Sequence, residues 1–68
     1  MWKVIYIAPN SKTAERIREL LTAEGLLVTL RPLGSNGSAE LLVPRSEAAE
    51  ALEILNQLLS GHTARSQA

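Results

Sequence analysis

The run Trp2-Lys3-Val4-Ile5-Tyr6-Ile7-Ala8, residues 2–8, is the most continuously apolar segment of this 68-residue chain. β-Branched and aromatic side chains fill most of it, which favours a strand. The run stops at Pro9, where a strand-to-helix loop begins. Because apolar residues occupy both sides of its pleat, we predict that it is the central strand of a small sheet, buried on both faces.

Successive side chains of a strand point to opposite faces, so the alternation in residues 2–8 divides them into two sets. Both sets are apolar. We predict that Ile5 and Ile7 point toward the helices and that the even positions point outward. The outward set is Trp2, Val4 and Tyr6, joined by Leu42 from the third strand.

A helix is predicted after this strand. Asn10 or Ser11 provides an N-cap, and Gly25 provides a left-handed C-terminal stop. The segment Asn10-Ser11-Lys12-Thr13 also combines free backbone N–H groups, hydroxyls and an ammonium, so it is the candidate site for a phosphate or carboxylate. Ordinary capping explains the same residues. The apolar stripe of the helix is Ala14, Ile17, Leu20 and Leu21.

From Leu26 the apolar period changes to two, which predicts a second strand. Residues 34–37 form a turn by composition, and a third strand runs from Ser38 to Val43. With a four-residue loop, the predicted register places an opposite-charge pair on one face and apolar residues on the other. The predicted pairs are Leu33 with Ser38, Arg31 with Glu40, Thr29 with Leu42, Leu30 with Leu41 and Val28 with Val43.

A second helix is predicted from Ser46, as N-cap, to the stop at Gly61. Its apolar sector includes Ile54 and Leu58 and is wider than one contact with a small sheet requires. Either packing at a helix edge or a contact with another subunit explains the excess.

The predicted fold class is α+β, a ferredoxin-like, PII-like β-α-β-β-α sandwich with both helices on one face of an antiparallel or mixed three-stranded sheet. A right-handed crossover places the first strand beside the third. Residues 1–61 form the single domain, and residues 62–68, which include His62, form a disordered tail without strand alternation. The fourth strand is therefore missing or supplied by a partner.

The composition argues against several classes of protein. Cysteine is absent and His62 is the only histidine, which leaves no ligand set for a structural metal. Seven Lys and Arg balance seven Glu, so neither nucleic acid nor a membrane surface is an expected partner. The opening residues carry no signal-peptide pattern, and we expect a soluble cytoplasmic protein.

Three segments resemble a known family: residues 6–10; residues 17–21 with Ala23-Glu24-Gly25; and residues 40–44 leading into 50–55. The chain is similar to small bacterial domains of unknown function that are described as signal-transducing proteins. The resemblance implies a ferredoxin-like fold related to the PII signalling proteins, which assemble by packing the sheets of neighbouring subunits. The turn at residues 34–37 is too short for the nucleotide-contacting loop of PII proteins.

Similar short chains also carry the label glutamate decarboxylase. Pyridoxal phosphate chemistry needs a Schiff-base lysine in a dry pocket and an acidic partner for the ring nitrogen. The chain has only Lys3 and Lys12, and no Asp. We therefore predict no enzyme activity, no catalytic residues, no cofactor and no metal, and a decarboxylase is the least favoured function.

A cysteine-free chain of this length buries only about 60% of its unfolded surface, and self-association is a common additional source of stability. We predict a non-enzymatic, regulatory interaction module that forms a homodimer or homotrimer, with another protein as a further partner. The alternative is a small-anion or nucleotide sensor at the first helix. The predicted subunit contact consists of Trp2, Val4, Tyr6, Leu42, Ile54 and Leu58.

Overall fold

A computed structural model describes residues 1–67, with side chains through Leu59. The chain is an α+β protein with two helices and one three-stranded antiparallel sheet, as predicted, and this order is compatible with a ferredoxin-like β-α-β-β-α layout. A 3-10 turn, Arg45–Glu47, precedes the second helix. The elements are β1 (Trp2–Ala8), α1 (Ser11–Ala23), β2 (Thr29–Leu33), β3 (Ser38–Pro44) and α2 (Ala48–Gln67).

The strand order is β1-β3-β2, so β3 lies at the centre and β1 lies at an edge. The prediction that residues 2–8 form the central strand was wrong, whereas the predicted neighbourhood of the first and third strands is confirmed. The side chains of Leu41 and Val43, in β3, are fully buried. Apolar residues on both sides of β1 therefore do not reflect a central position in the sheet.

The hairpin of β2 and β3 has the predicted register: Thr29 pairs with Leu42, Arg31 with Glu40 and Leu33 with Ser38. Residues 34–37 form the connecting turn. Gly37 has a φ of +89°, a conformation that few other residues adopt. Leu30 also pairs with Leu41 as predicted, but Val28 precedes β2, so its expected pairing with Val43 is not part of the ladder.

Strand β1 contains a β-bulge at Ile5. Val4 pairs with Leu42 and Tyr6 pairs with Leu41, so Ile5 is an extra residue on the β1 side. A bulge places two residues opposite one and breaks the alternation of side chains. Ile5 and Tyr6 consequently both pack toward the helices, and Ile7 is 57% exposed. The predicted inward position of Ile5 is confirmed, but those of Ile7 (inward) and Tyr6 (outward) were wrong.

The ends of α1 follow local capping rules. Asn10, rather than Ser11, is the N-cap, and its Oδ1 accepts a hydrogen bond of 2.8 Å from the Thr13 N–H. At the other end the N–H of Leu26 donates to the Leu21 carbonyl at 3.2 Å, with Gly25 at a φ of +91°. This is a Schellman-type C-cap, as the position of Gly25 predicts.

The second helix departs from its predicted ends. Ser46 lies in the 3-10 turn, and α2 begins at Ala48 and continues past Gly61 to Gln67. A glycine inside a helix costs about 1 kcal/mol relative to alanine but does not by itself end the helix. Side chains from residue 60 onward, including His62, and Ala68 lie outside the described residues, so the proposed tail at 62–68 is described only as helical backbone through Gln67.

One hydrophobic core joins both helices to the same face of the sheet. The alternate residues Ala39, Leu41 and Val43 supply its β3 layer, so the other face of β3 points away from the helices. The helix contributions are Ala14, Ile17 and Leu21 from α1 and Ala48, Ala51 and Leu55 from α2.

Candidate functional site

The sheet face that is opposite the helices carries no layer of secondary structure among the described residues, and we call it the open face. Two rows of paired residues cross it. One row runs Val4, Leu42, Thr29, and the next runs Ile7, Glu40, Arg31. Trp2 lies beyond the first row, at the start of β1. The open face therefore includes Trp2, Val4, Ile7, Thr29, Arg31, Glu40 and Leu42, and the pair Leu33 and Ser38 continues it toward the turn.

The β1 side of the open face is apolar and accessible. Trp2 is 48% exposed, Val4 37% and Ile7 57%. Leu42, between Val4 and Thr29, is only 8% exposed because its neighbours on both strands cover it. Leu42 thus forms the floor of the patch, and the three β1 residues form its accessible surface.

The β2 side of the open face carries an ion pair. The Arg31 Nε donates to Glu40 Oε1 at 2.7 Å, and the Arg31 Nη2 contacts the same oxygen. The Arg31 side chain is 61% exposed and that of Glu40 is 16% exposed. Glu40 Oε2 and Arg31 Nη1 take part in neither of these contacts. Both groups therefore retain hydrogen-bonding capacity.

An open depression of about 370 Å³ lies between the two halves of this face. Trp2 borders it on the β1 side, and Leu42 lies on its floor. The β2 wall is formed by Thr29, Leu30, Arg31 and Pro32. The lining is therefore mixed, with apolar side chains beside one hydroxyl and one guanidinium.

The residues predicted to form a subunit contact do not all lie together. Trp2, Val4 and Leu42 belong to the open face, whereas Tyr6 and Ile54 are partly buried against the helix-side core. Leu58, on α2, is 37% exposed and lies on a different element.

Ile7 completes the open face, although the alternation of residues 2–8 predicts that it points inward. The bulge at Ile5 turns the Ile7 side chain to the open face, and this bulge depends on the pairing of β1 with β3. The sequence of β1 alone does not predict the bulge.

The outer edge of β1 is also free, since no strand pairs with it among the described residues. Two features reduce its suitability for strand addition. The bulge at Ile5 interrupts the regular row of backbone groups, and Lys3 places an exposed charge on the same strand. Pro32 lies in the other edge strand, β2, where it offers no N–H.

The start of α1, the candidate anion site, has part of its binding capacity in use. The Thr13 N–H already donates to Asn10 Oδ1. Lys12 and Thr13 line a depression of about 340 Å³ on the exposed side of α1, together with Glu15, Arg16 and Glu19. Two carboxylates therefore accompany the two cations, which weakens the attraction for an anion.

Other kinds of site have little support in the described part of the chain. No group of three metal-ligating side chains comes together there, and the buried core contains no polar or charged residue. Arg18 Nε, on α1, is enclosed without a hydrogen-bond partner, but a single enclosed donor does not make a ligand site. Neither helix, within the residues that the structure describes, combines the length with the apolar character that a transmembrane span requires.

The resemblance inferred from sequence motifs has no independent support from comparison with known proteins. Neither protein-family models, nor curated proteins, nor solved structures yield a match to this chain.

Proposed function

We propose that this protein is a non-enzymatic interaction module of ferredoxin-like, PII-related type that assembles from identical chains through the open face. A regulatory role in signal transduction is the function that the resemblance implies for such an assembly. A homodimer and a homotrimer are equally consistent with this proposal.

The observation that carries the proposal is the exposure of Trp2, Val4 and Ile7 side by side on a sheet face without a covering layer. Exposed apolar side chains are common on monomers when scattered, but a contiguous patch with a polar rim is typical of an interaction surface. Tryptophan is also among the residues most enriched at the energetic centres of interfaces. Covering this patch removes apolar surface from water, at about 25 cal/mol per Å².

The composition of the open face favours self-association through this face over strand addition at the β1 edge. The bulge and Lys3 disrupt that edge, whereas the open face combines apolar surface with a balanced pair of charges. The whole chain has a formal net charge of zero, so identical copies experience no net repulsion.

The small size of the open face indicates a small contact area. With strands about 4.8 Å apart and a rise of about 3.3 Å per residue, three short strands present roughly 300 Å² in projection. A standard interface buries about 800 Å² on each partner. Protruding side chains and the borders of the sheet add to the projected area, but the buried area remains small for a protein interface. We expect a Kd in the micromolar range, which corresponds to about −8 kcal/mol at 1 µM.

Size-exclusion chromatography with light scattering on the full chain tests the proposal. At about 100 µM, well above the expected Kd, the mass should be at least twice the 7.4 kDa of one chain and should fall on dilution. Ile7→Asp and Val4→Asp place a charge in the contact and should give the monomer mass.

Leu20→Asp is the matched control, because Leu20 is similarly exposed, at 41%, but lies on α1. It should assemble as the unchanged chain does. A monomer mass for the unchanged chain at about 100 µM would refute the proposal. Equal loss of assembly in Leu20→Asp and Ile7→Asp would place the contact elsewhere.

A further inference from the structure

The Arg31–Glu40 pair is the one ion pair among the described side chains, and it lies on the open face beside Ile7. Both contacts from Arg31 go to the same carboxylate oxygen of Glu40. Oε2 of Glu40 and Nη1 of Arg31 take part in neither contact. Any molecule that covers Ile7 also approaches these two groups.

Covering these groups with an apolar surface is costly. An unsatisfied buried hydrogen-bonding group costs about 1–3 kcal/mol, and more when it is charged. A partner that fits this face must therefore present a hydrogen-bond donor near Oε2 and an acceptor near Nη1, with apolar surface beside them.

A second copy of this chain presents that combination when a two-fold axis relates the two open faces. In a two-fold contact, residue i meets residue j of the partner while residue j meets the partner's residue i. When the axis passes beside this ion pair, Arg31 of one copy faces Glu40 of the other, and the reverse pair forms at the same time. The apolar β1 residues of both copies complete the contact.

We propose, on the basis of the self-association proposed above, that Arg31 and Glu40 pair reciprocally between two copies. This pairing makes the assembly a two-fold dimer. Each carboxylate receives the guanidinium of its own chain on one oxygen and that of the other chain on the second. The four charges close into a ring with no net charge. The pair selects the orientation of the partner, while the apolar residues provide most of the affinity.

An anionic membrane surface fits this face less well. It would place phosphate groups beside Glu40, and the open face has Arg31 as its only cation. Membrane attraction of this kind needs several lysines or arginines on one surface.

Charge reversal with mixing of variants tests the reciprocal pairing. Arg31→Glu gives a chain with two acidic residues at this position, and Glu40→Arg gives a chain with two basic residues. Each variant alone should dimerise at least about tenfold more weakly than the unchanged chain, because like charges meet across the contact. An equimolar mixture should recover a heterodimer within about threefold of the original affinity.

The mixture separates contacts between chains from contacts within one chain. Each variant keeps its internal repulsion in the mixture, so recovery arises only from attraction between copies. Arg16→Glu is the matched control, since it makes the same substitution at an exposed position on α1. It should leave the dimer affinity unchanged.

If the charge-reversed chains do not fold, the neutral variants Arg31→Gln and Glu40→Gln provide the test. The unchanged dimer should weaken as salt increases, and both neutral variants should lose most of this dependence. Equal salt dependence in all three chains would overturn the inference.

The possible results distinguish this inference from the proposed function. If the unchanged chain is monomeric, both the proposed self-association and the reciprocal pairing are refuted. A dimer whose affinity survives both charge reversals, or whose variants do not recover on mixing, leaves self-association standing and overturns the reciprocal pairing. A trimer mass also overturns it, because a two-fold contact closes at two copies.

Discussion

The two faces of the three-stranded sheet contain similar side chains in very different surroundings. On the helix side, Leu41 and Val43 are fully buried beneath α1 and α2. On the open face, Val4 and Ile7 are aliphatic residues of comparable size, but they are 37% and 57% exposed. Hydrophobicity alone therefore does not decide which face of a small sheet is covered within the chain.

The difference arises from the number of layers that the chain supplies. Two helices cover one face, and no described element remains for the other. The open face also differs in kind, because it includes Arg31 and Glu40, whereas the described core contains no polar side chain. Interfaces that form between folded partners are about as apolar as the rest of the protein surface and carry their polar groups mainly at the rim.

Substitutions on the two faces should differ most in their effect on folding stability. Leu41→Ala removes a fully buried side chain and should cost about 4 kcal/mol of unfolding free energy. In a domain of this size such a loss leaves little folded protein. Urea denaturation followed by circular dichroism measures it, with Leu20→Ala as the exposed control. A cost below about 1 kcal/mol would show that the helix-side core is misplaced.

A matched pair in β1 tests the bulge. Ile5→Ala should cost about 2–3 kcal/mol, because Ile5 is only 9% exposed and belongs to the core. Ile7→Ala should cost less than about 1 kcal/mol when the protein is dilute enough to be monomeric. Urea denaturation of both variants at one low concentration gives the comparison. Equal costs would indicate regular alternation without a bulge.

The turn chemistry made the hairpin predictable. The four-residue loop between Leu33 and Ser38 fixes the register, and that register places Arg31 opposite Glu40. The polar half of the open face follows from the sequence for this reason. Local signals also predicted the Asn10 cap and the Gly25 stop, since caps depend on neighbouring residues.

The apolar half of the open face was only partly predictable. The even–odd pattern of β1 assigns Tyr6 outward and Ile7 inward, and the bulge at Ile5 reverses both. The bulge results from fitting β1 to β3, which lies more than thirty residues away in the sequence. The strand order is a tertiary property as well, so an apolar run on both sides of β1 was mistaken for a central strand.

The smallest expected effect concerns the start of α1, away from both faces. Asn10→Ala removes the bond to the Thr13 N–H and should cost about 1 kcal/mol of stability. Phosphate and nucleotides should raise the melting temperature of the unchanged chain no more than chloride at equal ionic strength. Thermal denaturation measures both effects. Stabilisation that is specific to phosphate and lost in Lys12→Ala would support an anion site instead.

Trp2 is the only tryptophan in the chain and lies on the open face, so its fluorescence reports directly on whether a second copy covers this face. The emission maximum should shift to longer wavelength as the protein is diluted through the micromolar range, with the same midpoint as the fall in mass. An emission maximum that stays constant while the mass changes, or a mass that stays at 7.4 kDa throughout, would contradict the account.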